Sequence, residues 1–385
     1  MTIYEQKFII LNKCLYRVRW NAKVNEKEQL VLQTIKNNPF LSQQEMAEAL
    51  KMSRPALANI ISGLTKKGEI IGRAYVLPER NSIFTIGGAN VDRKFHIDGR
   101  VQYGTSNPST VTESVGGVAR NIAENLGRFG NEVKLITLLG QDQGAKFIEK
   151  ESQAFMGLDY VEVMPDLKTG SYSAVLDTNG ELILAMADMS IYDSLLPAVL
   201  KKHEALLSNA KCIIIDLNCP KETVEYLQNL ACLRGIPLAI IPVSSPKIKN
   251  MPDDLVGVTY FICNRDEAEA YLNIRVLNDQ DYNTAVKLLI EKGASNVILT
   301  LGDQGAIVGN MEGVSYFEAE KANEIIDVTG AGDAFVGGFL HGVLNEEPFM
   351  SAVKFGQYNA ARTLQSDKTV RQNISAEELN NWRNN

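Results

Sequence analysis

At 385 residues the chain exceeds the usual single-domain range of about 50 to 250 residues, which predicts one large domain plus a small one. Apolar residues make up 45% and charged residues 22%, and no stretch approaches the roughly 18 unbroken apolar residues of a membrane span, so a soluble protein with a sizeable core is expected. The net charge of −7 is uneven: residues 1–78 carry twelve Lys/Arg against six Glu, while the remainder is strongly acidic, so the two parts are expected to meet different partners.

The first 23 residues, MTIYEQKFIILNKCLYRVRWNAK, are basic, but only Phe8 to Leu11 form an unbroken apolar run, shorter than the about 7 to 15 residues of a secretory signal core. A poorly ordered leader over 1–23 is expected, or a natural start near Val24. Residues 24–78 read as three helices and a hairpin. The first runs from Glu26 to about Asn37 and stops before Pro39, which cannot continue a helix. Ser42 with Glu45 forms a capping box for the second, in which each side chain satisfies a backbone amide at the other position. Ser53 caps the third, Pro55 sits in its first turn where a missing amide proton costs nothing, and Gly68 ends it.

Ala47, Leu50, Leu57, Ile60, Ile61 and Leu64 have helical spacing for a shared core. The short connection Lys51, Met52, Ser53 forces the second and third helices to cross steeply and leaves Arg54, Asn59 and Ser62 pointing outward. EIIGRAYVL supplies two short strands about Gly72. This layout resembles a winged helix-turn-helix, in which the third helix enters the major groove of DNA. Lys66, Lys67 and Arg73 join Arg54 as phosphate partners. Residues 24–78 alone are only +2, so a small helical bundle without DNA binding remains the alternative.

Pro78 and the polar ERNS that follow mark the boundary. From Ile83 onward short apolar strands alternate with amphipathic helices: IFTIGG, a helix near Asn121 to Gly130, VKLITLLG, CIIIDLN, PLAIIP, YFICN and VILTLG. That alternation predicts a parallel sheet covered by helices on both faces. KFHIDGRVQYG and SYSAVLDTNGELILAM, the latter with Asn179-Gly180 at a hairpin turn, interrupt it. They predict a small projecting sheet, a lid, from segments near 94–112 and 168–190. Cys14, Cys212, Cys219, Cys232 and Cys263 show neither C-x-x-C spacing nor paired clusters, which argues against zinc and disulfides and fits a reducing cytoplasm.

A strand followed by glycines and a helix suits a phosphate, because bare backbone lets an anion approach the amides at the positive end of the helix. DVTGAGDAFVGGFLHGVL, from Asp327, has that form. The chain contains no Gly-Lys dipeptide and therefore no Walker A loop, and GAGDAFVG has Phe335 where G-x-G-x-x-G needs its third glycine. Asp333, in the first turn, stands beside the same amides, able to accept a proton from an alcohol that attacks a phosphorus held above them. Its plainer role is to cap the helix.

With GGVARNIAENLGRFG, Gly116 to Gly130, and NVD, Asn90 to Asp92, the chain resembles the ribokinase-like (PfkB) family of carbohydrate and nucleoside kinases over residues 82–380. The family's early glycine pair ending in Asn appears as Gly116, Gly117 and Asn121, and its D-T-x-G-A-G-D motif as Asp327 to Asp333, with Val328 replacing the Thr. The resemblance implies that Asp333 deprotonates the acceptor hydroxyl, that the amides of Gly330, Ala331 and Gly332 form an anion hole, and that Asp327 helps bind a monovalent cation, potassium. N-x-x-E, tied to magnesium and phosphates, appears as Asn264 and Glu267, and TLGDQGA supplies a nucleotide-binding turn with Thr300, Gly302 and Gly305. Substrate contacts fall to Asn90, Asp92, Gly116, Gly117 and Asn121.

Within the family, SNPSTVTESVGGVARNIAENL, SYSAVLDTNGELILAMADMSIYD and PVSSPK are most similar to pseudouridine kinases. That likeness assigns Ser173 and Asp188 to a uracil edge and Lys247 to the nucleotide phosphates. Ile241 precedes Pro242 where the family often has Asp, which weakens local nucleotide contacts, and Asp142 in GQDQG reads as structural. The expected protein is α/β: a doubly wound, mostly parallel sheet with a small β lid, preceded by a winged helix-turn-helix. It uses ATP and magnesium, acts on a nucleoside or sugar, forms a homodimer, touches no membrane and meets operator DNA. Phosphorylation of another sugar or nucleoside, or regulation of DNA with the kinase domain as a ligand sensor, are the alternatives.

Overall fold

The computed structural model describes residues 24–38, 41–71 and 81–383. The leader over 1–23, Pro39, the hairpin beyond Ile71 with Arg73, and the boundary at Pro78 lie outside these residues.

Three helices open the described chain: α1 (Glu26–Asn37), α2 (Gln43–Ala49) and α3 (Arg54–Lys66). Each start is fixed locally. Asn25 and Glu28 form a capping box on α1, and Ser42 and Glu45 form the expected one on α2. Ser53 accepts the Ala56 amide at the start of α3, where Pro55 occupies the first turn. Between α2 and α3, Lys51 adopts a left-handed φ of 51°, the price of so short a connection. Val31, Ile35, Met46, Ala47, Leu57, Ile61, Leu64 and Ile70 make the shared core, with Leu50 and Ile60 at its edge.

The rest is organised by an eight-stranded sheet, ordered β14-β13-β12-β11-β10-β9-β1-β4. Its strands are β1 (Ile83–Ile86), β4 (Val133–Ile136), β9 (Cys212–Asp216), β10 (Leu238–Ile241), β11 (Tyr260–Asn264), β12 (Asn296–Thr300), β13 (Ala306–Asn310) and β14 (Gly313–Phe317). All neighbours from β4 to β12 are parallel, and β13 and β14 finish one edge antiparallel. Both faces are buried, as a parallel sheet requires. Ile213 and Ile215 of β9 join one apolar cluster with Phe84, Leu238, Phe261 and Val297; Cys212 and Ile214 join the other with Ile83, Ala239, Ile262 and Ile298.

VKLITLLG, expected as one strand, breaks at Thr137, whose hydroxyl donates to the Gly87 carbonyl at 2.6 Å. Beyond the break, β5 (Leu138–Gly140) leaves the main sheet to pair with β6 (Glu162–Met164). The helix expected near Asn121 begins earlier: α4 spans Val118–Arg128, launched from Gly117 at φ 99°. A four-stranded sheet stands apart from the main one. Its order is β3 (Ser109–Gly116), β2 (Asn90–Ile97), β7 (Ser171–Leu176) and β8 (Leu182–Asp188). Gly180, at φ 82°, turns the β7–β8 hairpin. Asp142 caps α5 (Gln143–Ser152) and also accepts the Thr169 amide and hydroxyl, a structural role as expected.

Candidate active site

The parallel strands β1, β9, β11 and β12 point their C-terminal ends at one crevice, where ligands of open α/β sheets gather. Beyond β1 lie Gly87 and Gly88, and at the end of β9 stands Asp216, buried. Its carboxylate accepts the Gly88 and Ala119 amides, both at 2.9 Å, and the Asn218 amide at 2.9 Å. Burial raises its pKa, and the three amide donors pull the other way. A Cβ on Gly87 would fall 2.3 Å from Asp216, and one on Gly117 2.3 Å from the Gly88 carbonyl. Bare backbone here is therefore a packing requirement, and it presses the start of α4 against the root of β2.

From that root β2 carries Asn90, Asp92 and Lys94 on one face, as period-two alternation demands. The Asn90 amide donates to Asp92 at 2.5 Å. Burial pushes Asp92 up to about 6 against the lowering pull of Asn90, Lys94 and Arg120. Gly116 lies opposite Asn90 in the β2–β3 register, and a Cβ on it would come within 2.2 Å of Asp92. Asn90, Asp92, Gly116, Gly117 and Asn121 are thus gathered at one corner.

Ser173 and Asp188 do not join them. The strand register places Ser173 beside Arg93, and Asp188 beside Ser171 and so in line with Val91. Both lie on the face opposite Asp92, and Asp188 instead accepts from the Ser190 amide and hydroxyl. Their expected contact with a uracil edge is corrected by the pleat: an odd offset along the strand turns a side chain away.

Helix α9 (Ala331–Leu344) closes the corner from the other side. Gly330, its N-cap, has φ 83°, and a Cβ there would fall 2.1 Å from the Thr369 carbonyl. No side chain caps this helix, so the plainer role for Asp333 fails. Its carboxylate instead accepts the Asn121 side-chain amide at 2.8 Å. Asn121 is itself oriented by Arg120, whose guanidinium donates to the Asn121 oxygen at 3.3 Å. Arg120 is buried, ion-paired with Glu124 and bonded to Ser152.

Burial pushes Asp333 up to about 7; the Asn121 donor lowers it, and the negative charges of Asp216, Asp92 and Glu267 raise it further. A carboxylate with that pKa is matched to proton abstraction near neutral pH. The protonated form cannot accept a proton, so kcat/KM is expected to rise with pH through an acid limb near 7. Asn121→Leu removes the donor that favours the charged form, and the limb should move to higher pH. An unmoved limb in the pH–rate profile would show that another group is being titrated.

Between β9 and α9 the chain forms α6 (Lys221–Arg234), α7 (Arg265–Leu272) and α8 (Asp279–Glu291), and Asn264 and Glu267 meet as a capping box at the start of α7. The box engages one oxygen of the buried Glu267, whose pKa burial raises. Asn264, Thr300 and Gly302 line a cavity of about 390 Å³ with Tyr282 and Gln304. Gly305 packs where a Cβ would sit 2.0 Å from the Phe317 carbonyl. Lys247 lies on a short 3-10 turn, Ser245–Asn250, after β10. Ile241, where the family often has Asp, pairs in register with Asp216.

Among the described residues no group of three or more His, Cys, Asp or Glu is placed to hold a metal. Magnesium held by one carboxylate, water and nucleotide phosphates needs none, so Glu267 fits that ion. Potassium fits Asp327 poorly. One Asp327 oxygen accepts the Thr329 amide and hydroxyl, at 2.9 and 2.7 Å, and the other holds the Lys94 ammonium. Burial alone would raise Asp327; Lys94 and Thr329 outweigh it and hold it below the usual range.

On the small module Arg54, Asn59, Ser62 and Lys66 of α3 are exposed. Lys67 is diverted: its ammonium donates to both Glu28 oxygens, at 2.8 and 2.9 Å. The chain just after α3 is tied to the large module, because Asn209 donates to the Gly68 carbonyl at 2.9 Å and Arg234 to the Lys67 carbonyl at 3.3 Å. No motif in the sequence assigns a role to Asp216, Arg120, Tyr192, Lys94 or this junction.

Residues 80–375 match the family described as pfkB family carbohydrate kinase, and residues 24–70 match a winged helix-turn-helix DNA-binding family. The uncharacterized sugar kinase YeiI of Escherichia coli K12 is 28% identical over 92% of this chain and 98% of its own length. The pseudouridine kinase of the same organism is 29% identical over 77% of this chain and 95% of its own. The solved Arabidopsis thaliana ribokinase complexed with ribose and ATP superposes with a TM-score of 0.70 at 17% identity, covering 78% of this chain and 99% of that one; at that identity the likeness concerns the fold.

Proposed function

Because the chain belongs to the pfkB family of carbohydrate kinases, phosphotransferases with an alcohol acceptor, we propose that it transfers the terminal phosphoryl group of ATP to the 5′-hydroxyl of pseudouridine. The observation that carries the chemistry is Asp333, which serves no cap, is held by Asn121 and has its pKa pushed up to about 7. The likeness to the E. coli pseudouridine kinase supports the acceptor. Another nucleoside, ribose or a ketose would use the same corner.

Asn90 and Asp92 offer an amide and a carboxylate 2.5 Å apart, a pair suited to vicinal hydroxyls. The acceptor hydroxyl then faces Asp333, which takes its proton. The amides of Gly330, Ala331 and Gly332 point at the transferring group from the helix end, where the macrodipole favours negative charge. The cavity at Asn264, Thr300 and Gly302 is the place for the nucleotide. Glu267 would hold magnesium through water, and the ion would supply charge neutralisation for the phosphates. A homodimer fits the outer face of the small sheet, where Val111 and Leu184 are exposed and line up through Phe95 and Val175.

A second reading, regulation of DNA by the kinase module, is favoured by the bonds from Asn209 and Arg234 to the chain just after α3. One set of experiments tests both. Purified full-length protein is offered pentoses, ketoses and nucleosides with Mg-ATP; turnover greatest with pseudouridine is expected, and a better acceptor would replace it. The same protein should retard its own upstream DNA, less so in Arg54→Ala and less at higher salt. Salt-insensitive retardation would remove the contacts named here.

A further inference from the structure

The crevice is lopsided in charge. Asp333 feels the negative charges of Asp216, Asp92 and Glu267, Asp327 stands at the entrance to the α9 loop, and a triphosphate brings still more negative charge. Repulsion of that kind is strong where water is scarce. Arg120 is spent on Glu124. Among the described residues, the lysine or arginine paired with a carboxylate of this set is Lys94, on Asp327.

Its place in the fold is informative. Lys94 is the third residue, after Asn90 and Asp92, on the site-facing side of β2, so the strand that bears the acceptor contacts also carries this ammonium. Asp327 is locked by Thr329 and lies three residues before Gly330. The pair therefore joins the small sheet to the loop that presents the anion-hole amides. Lys94 is only partly buried, with 31% of its side chain exposed, so the ammonium is close to solvent and able to turn.

Resting on the phosphotransfer reading above, we propose that Lys94 is a catalytic residue whose ammonium, held by Asp327, turns onto the terminal phosphate of the nucleotide and stays with it through transfer. The acceptor oxygen bonds to phosphorus as the bond from phosphorus to the bridging oxygen breaks. The acceptor proton goes to Asp333, and the departing nucleoside diphosphate keeps the bond pair. Lys94 neither gains nor loses a proton; it offsets charge on the moving group.

The test is Lys94→Met in the full chain, with Lys94→Arg beside it. The Met variant should lose about 10²-fold in kcat, the scale of a lost preorganised donor. Its affinity for a non-hydrolysable triphosphate should fall roughly tenfold, as for a lost charge-assisted contact, with that for ADP nearly unchanged. Arg should restore part of both. A kcat within about threefold of wild type, or equal losses for triphosphate and diphosphate, overturns the proposal, since a mere brace between sheet and loop does not count phosphates. Nucleotide binding needs no acceptor: a protein that turns over no alcohol fails the kinase reading, while the triphosphate–diphosphate comparison still decides the role of Lys94.

Discussion

Asp333→Asn should lower kcat by about 10²- to 10⁴-fold, the usual worth of a general base, while acceptor binding and the folded structure survive. The amide oxygen of the new side chain still accepts from Asn121, so the 2.8 Å bond is retained. What disappears is a charge sitting near Asp216, Asp92 and Glu267, all of which oppose it. The unfolding temperature should therefore hold or rise as activity collapses. Full turnover in this variant, measured with the best acceptor, would sink the assignment of the base.

Gly330→Ala is the second large expectation, and it acts through geometry. The residue sits at φ 83°, a conformation that costs an L-amino acid roughly 1–2 kcal/mol. The new methyl would also meet the Thr369 carbonyl at 2.1 Å, so the α9 loop must shift. Loss of the preorganised amides should lower kcat by about 10²- to 10³-fold, with a drop in unfolding temperature. Gly332→Ala provides the contrast, for no atom lies within 4 Å of its Cβ position and the fold should be untouched. Equal melting of the two variants would contradict this account of the loop.

Short-range signals were legible in the sequence. The capping boxes and the glycine stretches act within a few residues, and the alternation of strands and helices repeats along the chain, so each could be read locally. The miss at Ser173 and Asp188 was a matter of register: composition marks a strand, but pairing decides which face a residue occupies. The remaining site residues were hidden by sequence distance. Gly88 and Asp216 are 128 positions apart, Ala89 and Tyr192 103, Lys94 and Asp327 233. A lone Asp, Tyr or Lys carries no mark of a partner so remote. Arg120 lies inside the quoted glycine stretch, but its burial against Glu124 and Ser152 becomes evident only once α4 and α5 pack.

The buried Tyr192 hydroxyl donates to the Ala89 carbonyl and accepts the Ala89 amide, and two residues on the Val91 amide donates to the Gly170 carbonyl. One phenol thus rivets the hinge between β1 and β2. These bonds tie the root that bears Asn90 and Asp92 to the body of the fold. On the proposed reading, an acceptor meeting Asn90 and Asp92 would dock on a root fixed before it arrives.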